Sequence, residues 1–284
     1  MEARIVSNAM HRRDFCRLAL GVTLAALAGP AAAAEAVADK LFLEDLTWME
    51  IRDAVAAGKI VAIVPTGGTE QNGPHMALGK HNVIVRHNAA EIARRLGNAL
   101  VAPVLPYVPE GDFDPPTGHM LFPGTLGLSD HAFEVTLRDI ATSLALAGFR
   151  LICFLGDHGE SQAIQSRVAR TLTRVWHHRG IRVASLDRYY FANGEEAWLK
   201  TQGFDDAAIG HHASIPDTAE LLALAPDELR PDRLAPKDWP ARSGADGDPA
   251  KATAAMGRHL LDLKIAAGEA QVRELLAALP PLPR

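Results

Sequence analysis

KIVAIVPTGGTEQNGPHMALGKHN, residues 59–82, joins an apolar run to a loop of unusual chemistry. Residues 59–68 read as a buried strand ending in a turn, because small and β-branched apolar residues lead into a glycine pair. The fourteen positions from Thr69 to Asn82 then hold one carboxylate, two histidines, three amides and two glycines. Glu70 with His75 and His81 is a donor set that suits zinc, manganese or iron. A polar loop with solvated histidines would carry the same letters, so this stretch alone leaves both readings open.

The chain on either side repeats the strand-then-helix rhythm. VRHNAAEIARRLGN, from Val85, reads as a helix stopped by Gly97 and Asn98, and ALVAPVLPYV, from Ala99, as a second strand. SDHAFEVTLRDIATSLALAGF has Ser129 as an N-cap, an apolar stripe and a Gly148 stop. RLICFLGDHG reads as a third buried strand, ESQAIQSRVARTLTRVWHHRG as the next helix, and IRVASLD as a fourth strand. Strands alternating with longer helices predict an α/β fold with a mainly parallel sheet. Ligands in such folds bind beyond the carboxyl ends of the strands, and both Glu70 and His158 fall there. PDELRPDRLAPKDWPARSGADGDPAKA, residues 226–252, reads as a long surface loop, and a final helix is expected over about 252–279.

Three more stretches carry candidate chemistry. GDHGES, residues 156–161, sets His158 and Glu160 two apart, on one side of an extended segment. Asp157 and Ser161 in the same stretch would also serve as helix caps, and the pattern is not the G-x-S-x-G elbow of serine hydrolases. GHHASIPDTAELLAL, from Gly210, places His211 and His212 before a helix that Asp217 or Thr218 could cap. GHMLFPGT, residues 118–125, is a Pro-Gly turn with His119 projecting into the same mouth. His177 and His178 end a helix, where the dipole favours them, and His87 reads as structural or exposed rather than as a ligand.

The four stretches, in this order, resemble the creatininase family of metal-dependent amidohydrolases. The family pattern runs approximately G-x-x-E-Q-H-G-P-H-L-P-L-G-x-D, then F-P-G-T, then G-H-G-x-N or G-H-x-E-N, then H-A-G-x-x-E-T-S. The counterparts are GGTEQNGPHMALGKH, FPGT, GDHGES and HASIPDTA, and the likeness covers about residues 46–225. It implies a creatininase-like three-layer αβα fold, a centre of one or two metal ions, hydrolysis of a C–N bond in a cyclic amide or related small molecule, and a hexamer. By position, Glu70 matches the first metal carboxylate, His158 the central histidine, Glu160 the acid two residues on, and His212 the late active-site histidine.

Three departures bear on the metal. The family histidine after the glutamate is Asn72, the aspartate that bridges two ions is His81, and the late glutamate is Asp217. A neutral imidazole offers one lone pair and seldom bridges. The expectation is therefore one zinc, manganese or iron ion per chain, held by Glu70, His81, His158 and Glu160, with the second site weakened. Catalytic roles fall to Glu160, as ligand or base, and to His212, as proton donor to the leaving nitrogen. Asn72, His75, His119 and Asp157 are expected to contact substrate. A metal-dependent isomerase or lyase, and a binding protein that has lost its chemistry, remain open alternatives.

Composition sets further bounds. The chain has 284 residues, 48% hydrophobic and 22% charged, with a net charge of -5 and no basic block. Nucleic acid is thus a poor partner, and a small-molecule substrate a better one. Residues 1–34 have the layout of an export signal: Arg12-Arg13 with Asp14 and Phe15, an apolar run from Leu18 to Ala28, and small residues at Ala32 to Ala34. That run is too short to be a permanent membrane anchor. The expectation is twin-arginine export to the periplasm or medium, with residues 35–284 forming a single domain.

Overall fold

The computed structural model describes residues 40–234 and 243–282, so the expected signal at residues 1–34 lies outside the described residues. Four parallel strands form the sheet: β1 (Val61–Thr66), β2 (Ala99–Val101), β3 (Leu151–Gly156) and β4 (Arg182–Ser185), in the order β2-β1-β3-β4. Pairing is in register from Val61 with Leu151 to Thr66 with Gly156, so β1 and β3 end side by side. The loops carrying Glu70 and His158 are therefore neighbours from the first residue.

Every residue of β1 and β3 is buried, as continuous apolar runs in a parallel sheet require. Alternate side chains serve opposite faces. Ala62, Val64, Ile152 and Phe154 pack with Phe133, Leu137, Ile164 and Val168. These come from α3 (Asp130–Leu146) and α4 (Gln162–Trp176). Val61, Ile63, Leu151 and Cys153 pack on the other face with Ile84, Val85, Ile92, Leu261 and Ile265. Those belong to α2 (Lys80–Leu96) and α9 (Ala254–Ala277). Each such fully buried aliphatic or aromatic side chain contributes on the order of 1.5–3 kcal/mol. The result is the three-layer αβα arrangement that the family resemblance implies, on the parallel sheet that the alternation predicts.

The remaining helices are α1 (Trp48–Ala56), α5 (Asp187–Phe191), α6 (Glu195–Thr201), α7 (Asp206–Ile209) and α8 (Ile215–Leu224). Three differences from the sequence reading have physical causes. Strand β2 is three residues long, not ten, because Pro103 and Pro106 lack the N–H a ladder needs. The chain still follows β1 irregularly, with Leu105 N donating to Pro65 O at 2.9 Å. Helix α2 starts at Lys80 rather than Val85, which moves Lys80 and His81 from a loop into a helical first turn. The stretch from 226 is not simply a surface loop. Leu229 bridges Met76, and Ser243–Asp248 returns to the site described below. Among the described residues no helix is long and apolar enough to cross a membrane.

Candidate metal centre

Glu70 is fully buried beyond the end of β1. The glycine pair before it is needed for space: a Cβ on Gly67 would lie 2.0 Å from Asn82 Oδ1. That same oxygen accepts from Gly68 N at 3.2 Å, so α2 grips the turn. The loop then closes on itself. Glu70 N donates to Leu78 O at 3.1 Å, and the Asn72 amide donates to Glu70 O at 3.0 Å and Ala77 O at 3.1 Å. Asn72 thus holds the loop that holds Glu70. His75 is buried, with Nε2 3.1 Å from Thr218 Oγ1. Neither Asn72 nor His75 lines the cavity, so the structure does not bring these two expected substrate contacts to its surface.

His158 follows β3. Its carbonyl accepts from Ser161 Oγ at 2.8 Å and from Gln162 Nε2 at 3.0 Å. Those bonds fix the ring so that Nε2 lies 2.7 Å from Glu70 Oε2, 3.0 Å from Glu110 Oε2 and 3.3 Å from Glu160 Oε2. Three carboxylates converge on one nitrogen. Glu110 comes from the loop after β2 and is 1% exposed. His158 is its ion-pair partner, and among the described residues no well-aligned hydrogen bond reaches either of its oxygens. His119, on the short turn Gly118–Leu121, completes the group with Nε2 3.2 Å from Glu70 Oε2.

Glu70, Glu110, His119 and His158 each offer a donor atom, all within 4.8 Å of one another. The set differs from the one expected. Glu110 and His119 stand where His81 and Glu160 were expected. His81 is turned away, with Nε2 2.8 Å from Glu70 Oε1 and Nδ1 2.7 Å from Asp157 Oδ2. Glu160 sits at the edge, half-exposed. Glu110 was missed because it lies in YVPEGDF, which matches no motif. The rule that found Glu70 and His158, looking just past a parallel strand, points to it as well.

Charge in the cluster is strongly perturbed. Burial alone would raise the Glu70 carboxyl, but His81 and His158 outweigh it and hold it well below the usual range. Burial raises Glu110. Burial would lower His158, yet Glu70 and Glu110 overcome it and push the ring up to about 10. An excess of buried carboxylate charge converging on one imidazole is a site that fits a divalent cation.

Around the cluster lies a cavity of about 1320 Å³, lined by Glu70, His119, His158, Glu160, Tyr190 and His212 among others. His212 is held from two sides. Asp246 Oδ1 accepts from its backbone N–H at 2.8 Å, and its Nε2 donates to Gln71 O at 2.9 Å. Burial, helped by Lys80, lowers the ring to about 4, so it is neutral at pH 7. Asp157 also lines the cavity, but its oxygens already accept from Lys264 Nζ at 2.7 Å and Tyr189 OH at 2.6 Å and meet His81.

The family pattern described as creatininase, creatinine amidohydrolase, matches residues 44–271. The chain belongs to the creatininase family. As a creatininase-family hydrolase it is 29% identical over 223 residues to a creatinine amidohydrolase of Pseudomonas putida, covering 75% of this chain and 84% of that protein. It is 28% identical over 180 residues to a mycofactocin precursor peptide peptidase of Mycolicibacterium smegmatis, covering 61% and 62%. Its fold is similar to a solved manganese creatininase, with a TM-score of 0.69 and 26% identity over 85% of this chain and all of that one. A Zn–Zn form of a creatininase variant gives a TM-score of 0.68 at 26% identity, covering 85% and 99%. Metal in those relatives accords with the donor cluster here.

Proposed function

We propose that the chain is an exported metal-dependent amidohydrolase that cleaves a C–N bond of a cyclic amide or related small molecule. The observation that carries this reading is the convergence of Glu70, Glu110, His119 and His158 on one point, with Glu70, His119 and His158 open to the cavity and Glu110 buried behind them. These four would hold a zinc or manganese ion, one per chain. Such an ion supplies Lewis acidity, which acidifies water and polarises a carbonyl.

The chain's own groups handle the protons. Glu160 stands half-exposed at the rim, 3.3 Å from His158 Nε2, and is placed to take a proton from the attacking water. His212 is neutral, with Nδ1 3.7 Å from Glu70 Oε1. It can accept a proton and pass it to the leaving nitrogen. Gln71 holds both rings, its Nε2 lying 2.9 Å from His119 Nδ1 and its backbone O accepting from His212 Nε2 at 2.9 Å.

A second reading of the substrate is favoured by size. About 1320 Å³ exceeds the roughly 300–1,000 Å³ of common small-molecule pockets, and the peptidase relatives are named for a peptide substrate. An amide within a peptide would suit the same centre. The test is purified protein, analysed for metal and assayed on cyclic amides and short peptides beside a His158→Ala variant. Metal and turnover lost together support the centre, and unchanged metal in the variant overturns it. Export by the twin-arginine route and a hexameric state belong to the same proposal. Periplasmic fractionation of an Arg12→Lys, Arg13→Lys variant and light scattering of the purified protein test them.

A further inference from the structure

Glu70 divides the centre into two halves. Its Oε2 faces His158 Nε2 at 2.7 Å and His119 Nε2 at 3.2 Å, with Glu110 Oε2 3.0 Å from the same His158 nitrogen. Its Oε1 faces a different set: His81 Nε2 at 2.8 Å, Lys80 Nζ at 3.6 Å and His212 Nδ1 at 3.7 Å. Among the described residues, the one group able to hold an ion gathers around Oε2.

On the Oε1 side the anionic oxygens are already answered from within the chain. Lys80, 1% exposed, donates to Asp217 Oδ2 at 2.6 Å. That oxygen also accepts from Ala213 N at 2.7 Å. His81 spans Glu70 and Asp157, and Lys264 and Tyr189 take up the other Asp157 oxygen. A metal ion bound to Glu70 Oε1 would sit roughly 2.0–2.2 Å from it, crowded by the Lys80 ammonium and reached by His81 Nε2 only if the proton between that nitrogen and Glu70 leaves. An ammonium has no lone pair to offer an ion and repels it.

We infer that Lys80 and His81 are a built-in replacement for a second metal ion, occupying the Oε1 half of Glu70 and saturating Glu70 and Asp217 from within the chain. The inference rests on the metal-centre reading and explains how a relative solved with two zinc ions and a one-ion chain can share one scaffold. Lys80 is then a positioning residue. It fixes Glu70 and Asp217 with a charge that no chelator removes.

The test is metal stoichiometry. Full-length protein is stripped, loaded with excess Mn(II), desalted and analysed for metal per chain and by electron paramagnetic resonance. Wild type is expected to retain one ion, with the hyperfine pattern of isolated Mn(II). The Lys80→Thr, His81→Asp double variant is expected to retain two and show exchange coupling. Two coupled ions in wild type overturn the inference while leaving the metal centre intact, whatever the variant does. No retained ion in wild type overturns the metal centre itself, and the inference with it. A double variant that keeps the wild-type circular dichroism yet still retains one ion also overturns it.

Discussion

Glu110 carries the sharpest prediction at the residue scale. Its carboxylate is buried with only the His158 ring beside it at 3.0 Å, a costly arrangement unless a cation or proton completes it. Glu110→Gln removes the charge and keeps the shape. We expect metal affinity to fall at least tenfold, read by competition with a chromophoric chelator, with the fold unchanged. Asp157 acts one step further back, through His81 on Glu70. Asp157→Asn should weaken metal binding about 10–100-fold, the usual effect of disturbing a ligand's support.

Acid sensitivity also belongs to single residues. Burial lowers His75 to about 4 and His212 to about 4. The unfolded chain, with histidine near 6.5, binds protons that the folded chain does not, so stability rises with pH across that window. The metal-free protein should lose stability as pH falls from about 6.5 to about 4, and the urea midpoint at stepped pH measures it. A His75→Gln variant should show a shallower slope. His158, raised to about 10, acts in the opposite sense and only above about 6.5: its contribution fades as pH climbs towards 10.

Among the elements, α9 decides more than its position at the chain's end suggests. It lies against α8 so closely that a Cβ on Gly257 would come 1.8 Å from Ala219 O, a backbone atom that cannot swing aside. That contact sets Lys264 beneath Asp157 and Glu220. Gly257→Ala should cost about 1–3 kcal/mol by overpacking, measured by denaturant unfolding, and should loosen the metal as well. Thr253→Ala at the start of α9 provides the contrast. It removes only a cap bond to Met256 N, so a loss of about 1 kcal/mol with normal metal binding is expected. The first turn of α2 works differently. Lys80 sits at a helix N-terminus, where the dipole disfavours a cation, and Asp217 and Glu70 compensate.

For the whole molecule, the metal should act as a folding ligand, because its donors come from loops after three strands, β1, β2 and β3. At an ion concentration 100-fold above Kd the stabilisation is about 2.7 kcal/mol, or roughly 5–10 °C in Tm for a domain of this size. Differential scanning calorimetry with and without chelator measures it. No shift would mean that no ion joins the three loops.

The sequence by itself determined the sheet, its two helical layers and two of the metal-competent groups. Buried parallel strands must be continuously apolar, and ligand groups cluster just after them, so position made Glu70 and His158 candidates and the family resemblance chose the metal reading over the solvated-loop one. The ordered motifs also carried the family. Tertiary structure alone decided which side chains close the centre. Glu110 and His119 lie 40 and 49 positions beyond Glu70, in loops whose letters look like turns. His81 carries as good a ligand atom as His119 does. What separates them is direction, because the early start of α2 aims His81 at Glu70 Oε1 and Asp157 rather than at the donor group around Glu70 Oε2. Local pattern fixes where a strand ends, but the aim of a side chain depends on packing between elements far apart in the chain.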